Sequence, residues 1–255
     1  MIINPYIFGG GADADASSFI TAASITDGTQ QDAINQLVLD LKDYSIWSKL
    51  EAIYPFVGGN ATAHSYNLKD TTQFQITWNG GVTHDANGVT GNGTNGYGNT
   101  NFVDSTHLTD FISFGVYSRT DSQSAVMDIG GTGATTSNAL GCKFSSTGVY
   151  AVVMDGGTQR KVTATSLGLF TANRSDASNR AIYINGAEYT YSNPSSIYTS
   201  RNMYVLARNN NDSSVDFYSS RNLAFAFIGN SLTTTEQADL YTAVQAYQTT
   251  LSRNV

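Results

Sequence analysis

Hydrophobic and polar positions alternate through much of the middle of the chain, and this alternation is typical of strands that bury one face. Residues 73–78 and 111–117 both alternate, the second placing Ile112, Phe114 and Val116 on one side. Continuously apolar runs, which are typical of strands buried on both faces, occupy residues 150–154, 203–207 and 223–229. The middle of the chain is therefore predicted to consist of short strands.

Turn signals separate these strands. Asn185-Gly186 lies between the strand-like segments 181–184 and 187–189. Asn-Gly supplies the two positive-φ positions of a type I′ turn, so these segments are predicted to form a hairpin. The glycine-rich stretches 88–101 and 130–133 are predicted to be loops. Strands joined by turns rather than helices indicate a mostly β, antiparallel sandwich and exclude a parallel α/β sheet.

Two segments follow the helical period instead. The first is predicted to run from about Gln30 to Ile53, with Thr29 as its N-cap and an end before Pro55. The second is predicted to run from Thr233 to Leu251 and begins with the capping-box pattern Thr-Thr-Thr-Glu. Each has one apolar stripe that would hold a helix only marginally in water, so both are expected to pack on the sandwich.

The first 29 residues differ from the rest of the chain. Their apolar side chains are concentrated at Ile2, Ile3, Tyr6, Ile7 and Phe8, and a Gly-, Ala- and Asp-rich stretch to residue 18 follows as a predicted flexible joint. Such a peptide either folds back as an edge strand or packs on another chain, and the polar joint favours the second. We therefore divide the chain into an assembly arm, residues 1–29, and one domain with its flanking helices, residues 30–255.

Composition and charge exclude several classes of protein. The chain has 255 residues, of which only 13% are charged, and a formal net charge of −7, which opposes nucleic-acid binding. A single cysteine, Cys142, excludes an internal disulfide framework. No apolar run reaches membrane-spanning length, so no membrane insertion is expected.

Catalytic patterns are weak. His64, His84 and His107 show no zinc-ligand spacing, and no serine lies in a Gly-x-Ser-x-Gly motif. A jelly-roll glycosidase needs two carboxylates on one face of a cleft, whereas the acidic residues in the predicted strands are isolated. We therefore predict no catalytic residue, no metal site and no cofactor.

Carbohydrate binding is the one ligand hypothesis with support from particular residues. Tyr66, Trp78 and Tyr97 accompany Gly- and Asn-rich loops, for example at residues 79–81 and 92–96. Aromatic faces beside amide side chains suit sugars, which stack and accept hydrogen bonds. The alternative for Trp78 is a place in the core, because it ends an alternating strand.

Several segments together resemble a known family. Residues 50–59, 64–70, 92–97 and 225–229 are similar to tailed-phage structural proteins with a concanavalin A-like (laminin-G-like) jelly roll. The resemblance covers most of the chain, carries over no catalytic motif, and lacks the metal-binding set of legume lectins. It implies a location in the virion, other virion proteins as partners, a homo-oligomer and contact with host-surface glycans.

Three functions follow as hypotheses. The first is a non-enzymatic virion component, namely a fibre, tail or capsid-decorating protein. The second is a soluble carbohydrate-binding lectin domain, which would have no use for the apolar N-terminal peptide. The third, a glycan-cleaving enzyme, is disfavoured by the isolated carboxylates.

Overall fold

The computed structural model describes residues 12–146, 148–195 and 198–255. The helices in these ranges are α1 (Ala14–Ala22), α2 (Gly28–Asp43), α3 (Ala61–Ser65), α4 (Asp104–His107) and α5 (Thr234–Thr250). The strands are β1 (Leu50–Tyr54), β2 (Thr77–Asn79), β3 (Thr83–Asp85), β4 (Gly88–Thr90), β5 (Tyr97–Val103), β6 (Ile112–Ser118), β7 (Ile129–Thr132), β8 (Ser137–Ser145), β9 (Gly148–Asp155), β10 (Gln159–Lys161), β11 (Gly168–Arg174), β12 (Asn179–Ile184), β13 (Ala187–Ser192), β14 (Asn202–Val205), β15 (Arg208–Asn210), β16 (Ser214–Asp216) and β17 (Asn222–Asn230).

The strands form two sheets. The inner sheet has the order β13-β12-β11-β6-β17-β4-β3, and β1 also pairs with β17. The outer sheet has the order β10-β9-β8-β7-β14-β5-β2, with β15 beside β7 and β16 beside β15. Among the described strands the pairings are antiparallel, apart from the short contact of β15 with β7. The predicted antiparallel sandwich is therefore confirmed.

Two hydrophobic cores hold three layers together. One lies between the sheets and includes Phe114 of the inner sheet and Val153 of the outer sheet. The other lies on the opposite face of the inner sheet, where α1, α2 and α5 cover Phe225 and Phe227. Both predicted helical regions thus pack on the sandwich as expected. No described helix combines the length and apolarity needed to cross a membrane.

The predicted helix from Gln30 to Ile53 is wrong at both ends. Helix α2 begins at Gly28, and its cap is Asp27, whose carboxylate accepts from the Gln30 N–H at 2.9 Å. It ends at Asp43 because Ser45 adopts a left-handed conformation, with φ +61°, and the chain turns away. The Ile46 N–H donates to the Leu41 carbonyl across this turn, as in a Schellman motif. The apolar positions from residue 50 onward belong to strand β1.

The predicted flexible joint is also wrong from residue 14 onward. Residues 14–22 form α1, which is capped by Asp13 and buries Ala16 and Phe19 against the helix-side core. The apolar positions Ile2, Ile3, Tyr6, Ile7 and Phe8 lie outside the described residues. Their role in assembly stays a prediction.

The glycine-rich stretches predicted as loops contain strand β4, most of β7 and most of β5. Glycine serves close packing there: a Cβ at Gly98 would lie 2.7 Å from the Trp78 ring and 2.6 Å from Ile76. Conversely, the strand predicted over residues 73–78 is reduced to β2, which begins only at Thr77. Composition alone therefore misplaced the strand ends in this region.

Two local predictions are confirmed. Asn185 and Gly186 have φ values of +50° and +79°, and they join β12 to β13 in the expected hairpin. Thr233 and Glu236 form the expected capping box at the start of α5. Both features depend only on neighbouring residues, which is why the sequence sufficed.

Candidate functional site

The three residues predicted to bind glycans lie in three different places. Tyr66 packs against the helix-side core, and Trp78 packs against the core between the sheets. Tyr97 lies on the face of the outer sheet that points away from the inner sheet, which we call the outer face. The structure therefore does not bring the three together, and only Tyr97 is on the outer face.

Trp78 lies against the core between the sheets, which is the alternative to glycan binding that the sequence left open for it. Its ring centroid lies 6.1 Å from that of Phe56 and 4.7 Å from that of His84. Its indole N–H donates to the Ala61 carbonyl at 3.0 Å. These contacts anchor α3 and β3 to the end of the sandwich.

Beside Trp78, two histidines are in contact. The Nδ1 atoms of His64 and His84 are 3.1 Å apart, and His64 is only 1% exposed. Burial, with a smaller contribution from His84, lowers the pKa of His64 to about 3. Both rings are therefore neutral at neutral pH, and one donates its proton to the other. The described residues contain no group of three or more His, Cys, Asp or Glu side chains placed to hold a metal ion.

The outer face carries a cluster of three half-buried tyrosines: Tyr97, Tyr204 and Tyr218. The rings of Tyr97 and Tyr204 stack with centroids 4.8 Å apart and planes 20° apart, and the Tyr218 ring lies 6.3 Å from Tyr97. Among the described residues their hydroxyls have no hydrogen-bond partner. Burial raises the pKa of Tyr204 and of Tyr218, so both phenols stay protonated at neutral pH and can donate as well as accept.

Strand register places amides around this tyrosine cluster. Asn79 pairs with Tyr97, and Asn99 pairs with Tyr204, so both asparagines share the outer face with the rings. The adjoining loop is well braced, because the Asn92 carboxamide oxygen accepts from the N–H groups of residues 94–96 at 2.9–3.0 Å. The cluster therefore has a polar rim of two strand asparagines, and the loop beside it is held in place by its own hydrogen bonds.

A strained turn delivers Tyr218 to the cluster. Phe217 has a φ of +52°, an uncommon conformation for a bulky residue. This turn interrupts the strand alternation, so the rings of two consecutive residues both reach the outer face. The Phe217 ring lies against Phe144, and the Tyr218 ring lies against Tyr97. Strain of this kind persists where the surroundings impose it.

A buried ion pair holds the segment that follows. Asp128 and Arg221 are 3.0 Å apart, and neither side chain is exposed. The Ser219 hydroxyl donates to Asp128 at 2.7 Å, and Arg221 donates to the carbonyls of Ser122 and Lys143 at 2.8 and 3.0 Å. The pair thus fixes residues 219–221 to the outer sheet and, through them, the position of Tyr218.

No family model and no curated protein matches the sequence. Solved structures match its fold. Domain 4 of AbnA, a GH43 extracellular arabinanase from Geobacillus stearothermophilus, in complex with arabinotriose, has a TM-score of 0.50 at 16% identity, over 75% of this chain and 98% of that one. The botulinum neurotoxin serotype D binding domain has a TM-score of 0.52 at 11% identity, over 78% of this chain and 52% of that one.

A third match is Trypanosoma rangeli sialidase in complex with 2,3-difluorosialic acid, with a TM-score of 0.51 at 10% identity over 83% of this chain. This chain spans only 39% of the sialidase chain. At these identities the likeness concerns the fold alone. It confirms a jelly-roll-like β-sandwich.

Proposed function

We propose that this chain is a non-enzymatic carbohydrate-binding domain whose binding face is the cluster of Tyr97, Tyr204 and Tyr218. The observation that carries the proposal is that three outward tyrosines, with hydroxyls that bond to no described residue, meet beside amide side chains. Aromatic rings stack on the apolar faces of sugars, while hydroxyls and amides bond to sugar hydroxyls.

The arabinanase domain in complex with arabinotriose gives support by analogy of fold. Fold does not by itself imply function, so the proposal rests on the side chains of this chain's own outer face. The carboxylates near the cluster support a non-enzymatic role. Asp212 is 3.2 Å from Arg201, and Asp216 is 2.8 Å from Arg208. Each of these carboxylates is thus engaged by an arginine, whereas glycoside hydrolysis needs two carboxyl groups aimed at the scissile bond.

The setting we propose is a tailed-phage virion, on the strength of the sequence resemblance. There the domain would be a fibre, tail or capsid-decorating component that contacts host-surface glycans and associates with other virion proteins as a homo-oligomer. The alternative is a soluble lectin with the same binding face. The two differ in whether the N-terminal peptide joins the chain to an assembly.

Tyr97→Ala is expected to weaken binding to oligosaccharides found on a glycan array by about tenfold or more, because an anchoring aromatic contributes on the order of 2 kcal/mol. Tyr66→Leu is the matched control: it removes another half-buried tyrosine, on the helix side, and is expected to leave the affinity unchanged. Calorimetric titration of the folded variants measures both. Equal affinity for Tyr97→Ala and the natural chain, or no array signal at all, would contradict the proposal.

Deletion of residues 1–11 is expected to abolish oligomer formation while shifting the melting temperature by little, because the apolar peptide is predicted to pack on a neighbouring chain. Light scattering and thermal denaturation measure the two effects. A fall of several degrees in melting temperature with assembly retained would show that the peptide belongs to its own domain.

A further inference from the structure

The tyrosine cluster is one end of a longer row of aromatic rings on the outer face. The Phe217 ring centroid lies 5.7 Å from that of Phe144, which in turn lies 4.8 Å from that of Tyr150. Each of these rings is half-buried, so each keeps part of its surface in contact with solvent. We call this row the aromatic track, and its members, in order of contact, are Tyr204, Tyr97, Tyr218, Phe217, Phe144 and Tyr150.

Strand register sets the length of the track. One line of paired residues crosses the outer sheet from β9 to β5 through Ala151, Leu140, Ile129, Val205 and Gly98. Tyr150 and Tyr97 each precede the residue at their end of this line, and β9 and β5 run in the same direction, so both rings lie on the same side of it. Neighbouring strands lie about 4.8 Å apart, so the four steps from Tyr150 to Tyr97 cover on the order of 19 Å. The track is therefore much longer than a single sugar ring.

The backbone holds the middle of the track in place. The Met127 N–H donates to the Phe217 carbonyl at 2.8 Å, and the Ser219 N–H donates to the Leu206 carbonyl at 2.7 Å. The residues that carry the Phe217 and Tyr218 rings are thus bonded to the segments next to β7 and β14, between the two ends of the track. A surface that is already ordered loses little conformational entropy when a ligand binds, and this favours affinity.

The track is open at both ends of its path across the sheet. Beyond β5 the sheet continues with β2, whose outward side chains are the short Thr77 and Asn79. At the other end, the Arg160 guanidinium of β10 lies over the rings of Phe144 and Tyr150, 5.4 and 5.2 Å from their centroids. Neither of these two strands therefore raises a side chain as a wall across the track. Recognition of a chain end needs a pocket that surrounds it, so this geometry favours the interior of a chain.

Two arginines beside the track are each paired with a carboxylate. The Arg208 guanidinium lies 4.6 Å from the Phe217 centroid and donates to Asp216 at 2.9 and 2.8 Å, and Arg201 lies 3.2 Å from Asp212. A guanidinium is planar and weakly hydrated, so it continues the flat surface of the track where it covers a ring. The chain as a whole has a net charge of −7, which repels acidic ligands. A neutral glycan therefore suits this surface better than an acidic one.

We infer that the binding face takes an internal stretch of a neutral, extended glycan, with successive sugar rings along the aromatic track. This inference rests on the proposed function, to which it adds the charge of the ligand, its length and the part of the chain that is bound. Sugar rings at the tyrosine cluster stack and also bond to phenol hydroxyls, whereas sugar rings at the far end gain stacking. Tyr97 therefore contributes to the binding of short and long oligosaccharides, and Tyr150 contributes only to the binding of long ones.

The first test uses neutral ladders of cello-, xylo-, manno- and arabino-oligosaccharides, from monomer to octamer, with affinities measured by calorimetry. For a ladder that binds, affinity is expected to rise about tenfold or more between the dimer and the octamer, because added sugar rings reach further aromatic rings. Tyr97→Ala should weaken binding at every length. Tyr150→Ala should weaken binding of the octamer about fivefold and leave the dimer unchanged. Tyr150→Phe, which keeps the ring, and Tyr66→Leu, the control on the helix side, should bind the octamer as the natural chain does.

Stoichiometry separates interior binding from terminal binding. A polymer of the sugar that binds, prepared at two chain lengths, is titrated with the natural chain. The number of protein molecules bound per polymer chain is expected to rise with polymer length, because an interior stretch recurs along the polymer. The same oligosaccharides oxidised to uronic acids should bind more weakly than the neutral forms, and salt should reduce the difference. The length, charge and stoichiometry measurements use the natural chain, so they do not depend on the folding of any variant.

The inference would be overturned by equal affinity for dimer and octamer, or by octamer binding that Tyr150→Ala leaves unchanged. One protein molecule per polymer chain at both lengths, tighter binding of the uronic acids, or no binding of any neutral ladder would also overturn it. The proposed function fails separately, when no oligosaccharide on the array shows binding that depends on Tyr97.

Discussion

Asp128→Ala is expected to lower the free energy of unfolding by about 3–5 kcal/mol, the cost of leaving one member of a buried ion pair without its partner. Arg221 would keep its charge in a place where its side chain is 0% exposed. The Ser219 hydroxyl and the Cys142 N–H would also lose the carboxylate that they contact at 2.7 and 2.8 Å. Urea unfolding at neutral pH measures the loss.

The control is the double variant Asp128→Leu with Arg221→Met, which replaces both charges by apolar groups of similar size. It is expected to recover most of the lost stability. Removing two charges from water costs a large desolvation free energy, and two apolar side chains do not have this cost. A loss below about 1 kcal/mol for Asp128→Ala would mean that the arginine reaches solvent. That result would also remove the reason for regarding residues 219–221 as fixed.

Acid is expected to destabilise the protein through His64. The pKa of His64 is about 3 in the folded chain, below the ordinary value of 6.5, so the unfolded chain takes up the proton first as the pH falls. Its stabilising contribution is therefore complete above pH 6.5 and is lost as the pH falls toward 3. By pH 4.5 the loss from this group is about 2–3 kcal/mol, at 1.36 kcal/mol for each pH unit.

Urea unfolding at pH 7 and pH 4.5 measures this loss, and His64→Phe separates it from the effect of acid on the carboxylates. The variant keeps a ring against Phe56 and is expected to lose about 2–3 kcal/mol less than the natural chain over this interval. His107→Gln, which leaves the buried pair intact, should behave as the natural chain does. An identical pH dependence for His64→Phe and the natural chain would show that His64 is protonated in the folded protein.

The parts of the fold that the sequence predicts correctly are those decided by adjacent residues. Asn185-Gly186 adopts its turn because two small or amide residues tolerate positive φ, and Thr233 with Glu236 caps α5 through its own first turn. The end of α2 depends on Ser45, a residue that seldom adopts positive φ, and on the pairing of β1 with β17 at the other end of the chain. The apolar positions continue at helical spacing through both the end of α2 and the start of β1, so the sequence pattern does not show where the helix stops.

In the candidate site too, features decided by adjacent residues are predictable from the sequence, and features decided by distant residues are not. Tyr97 was predicted from the Gly- and Asn-rich loop beside it. Tyr204 lies in an apolar run that indicates a buried strand, and its stacking on Tyr97 is decided by the register of β14 against β5. Tyr218 reaches the outer face through the positive φ of Phe217. Neither arrangement leaves a local signal in the sequence. Trp78, like Tyr97, is an aromatic residue beside a Gly- and Asn-rich loop, yet it lies against the core.

The binding face is tested most directly by labelling the tyrosine rings with a stable isotope and titrating the protein with the strongest-binding oligosaccharide from the array. Tyrosine-to-phenylalanine variants assign each ring resonance. The resonances of Tyr97, Tyr204 and Tyr218 are expected to shift and saturate together, while that of Tyr66, on the helix side, stays in place. Shifts at Tyr66 with the other three unmoved, or no tyrosine response to a bound sugar, would contradict a glycan-binding outer face.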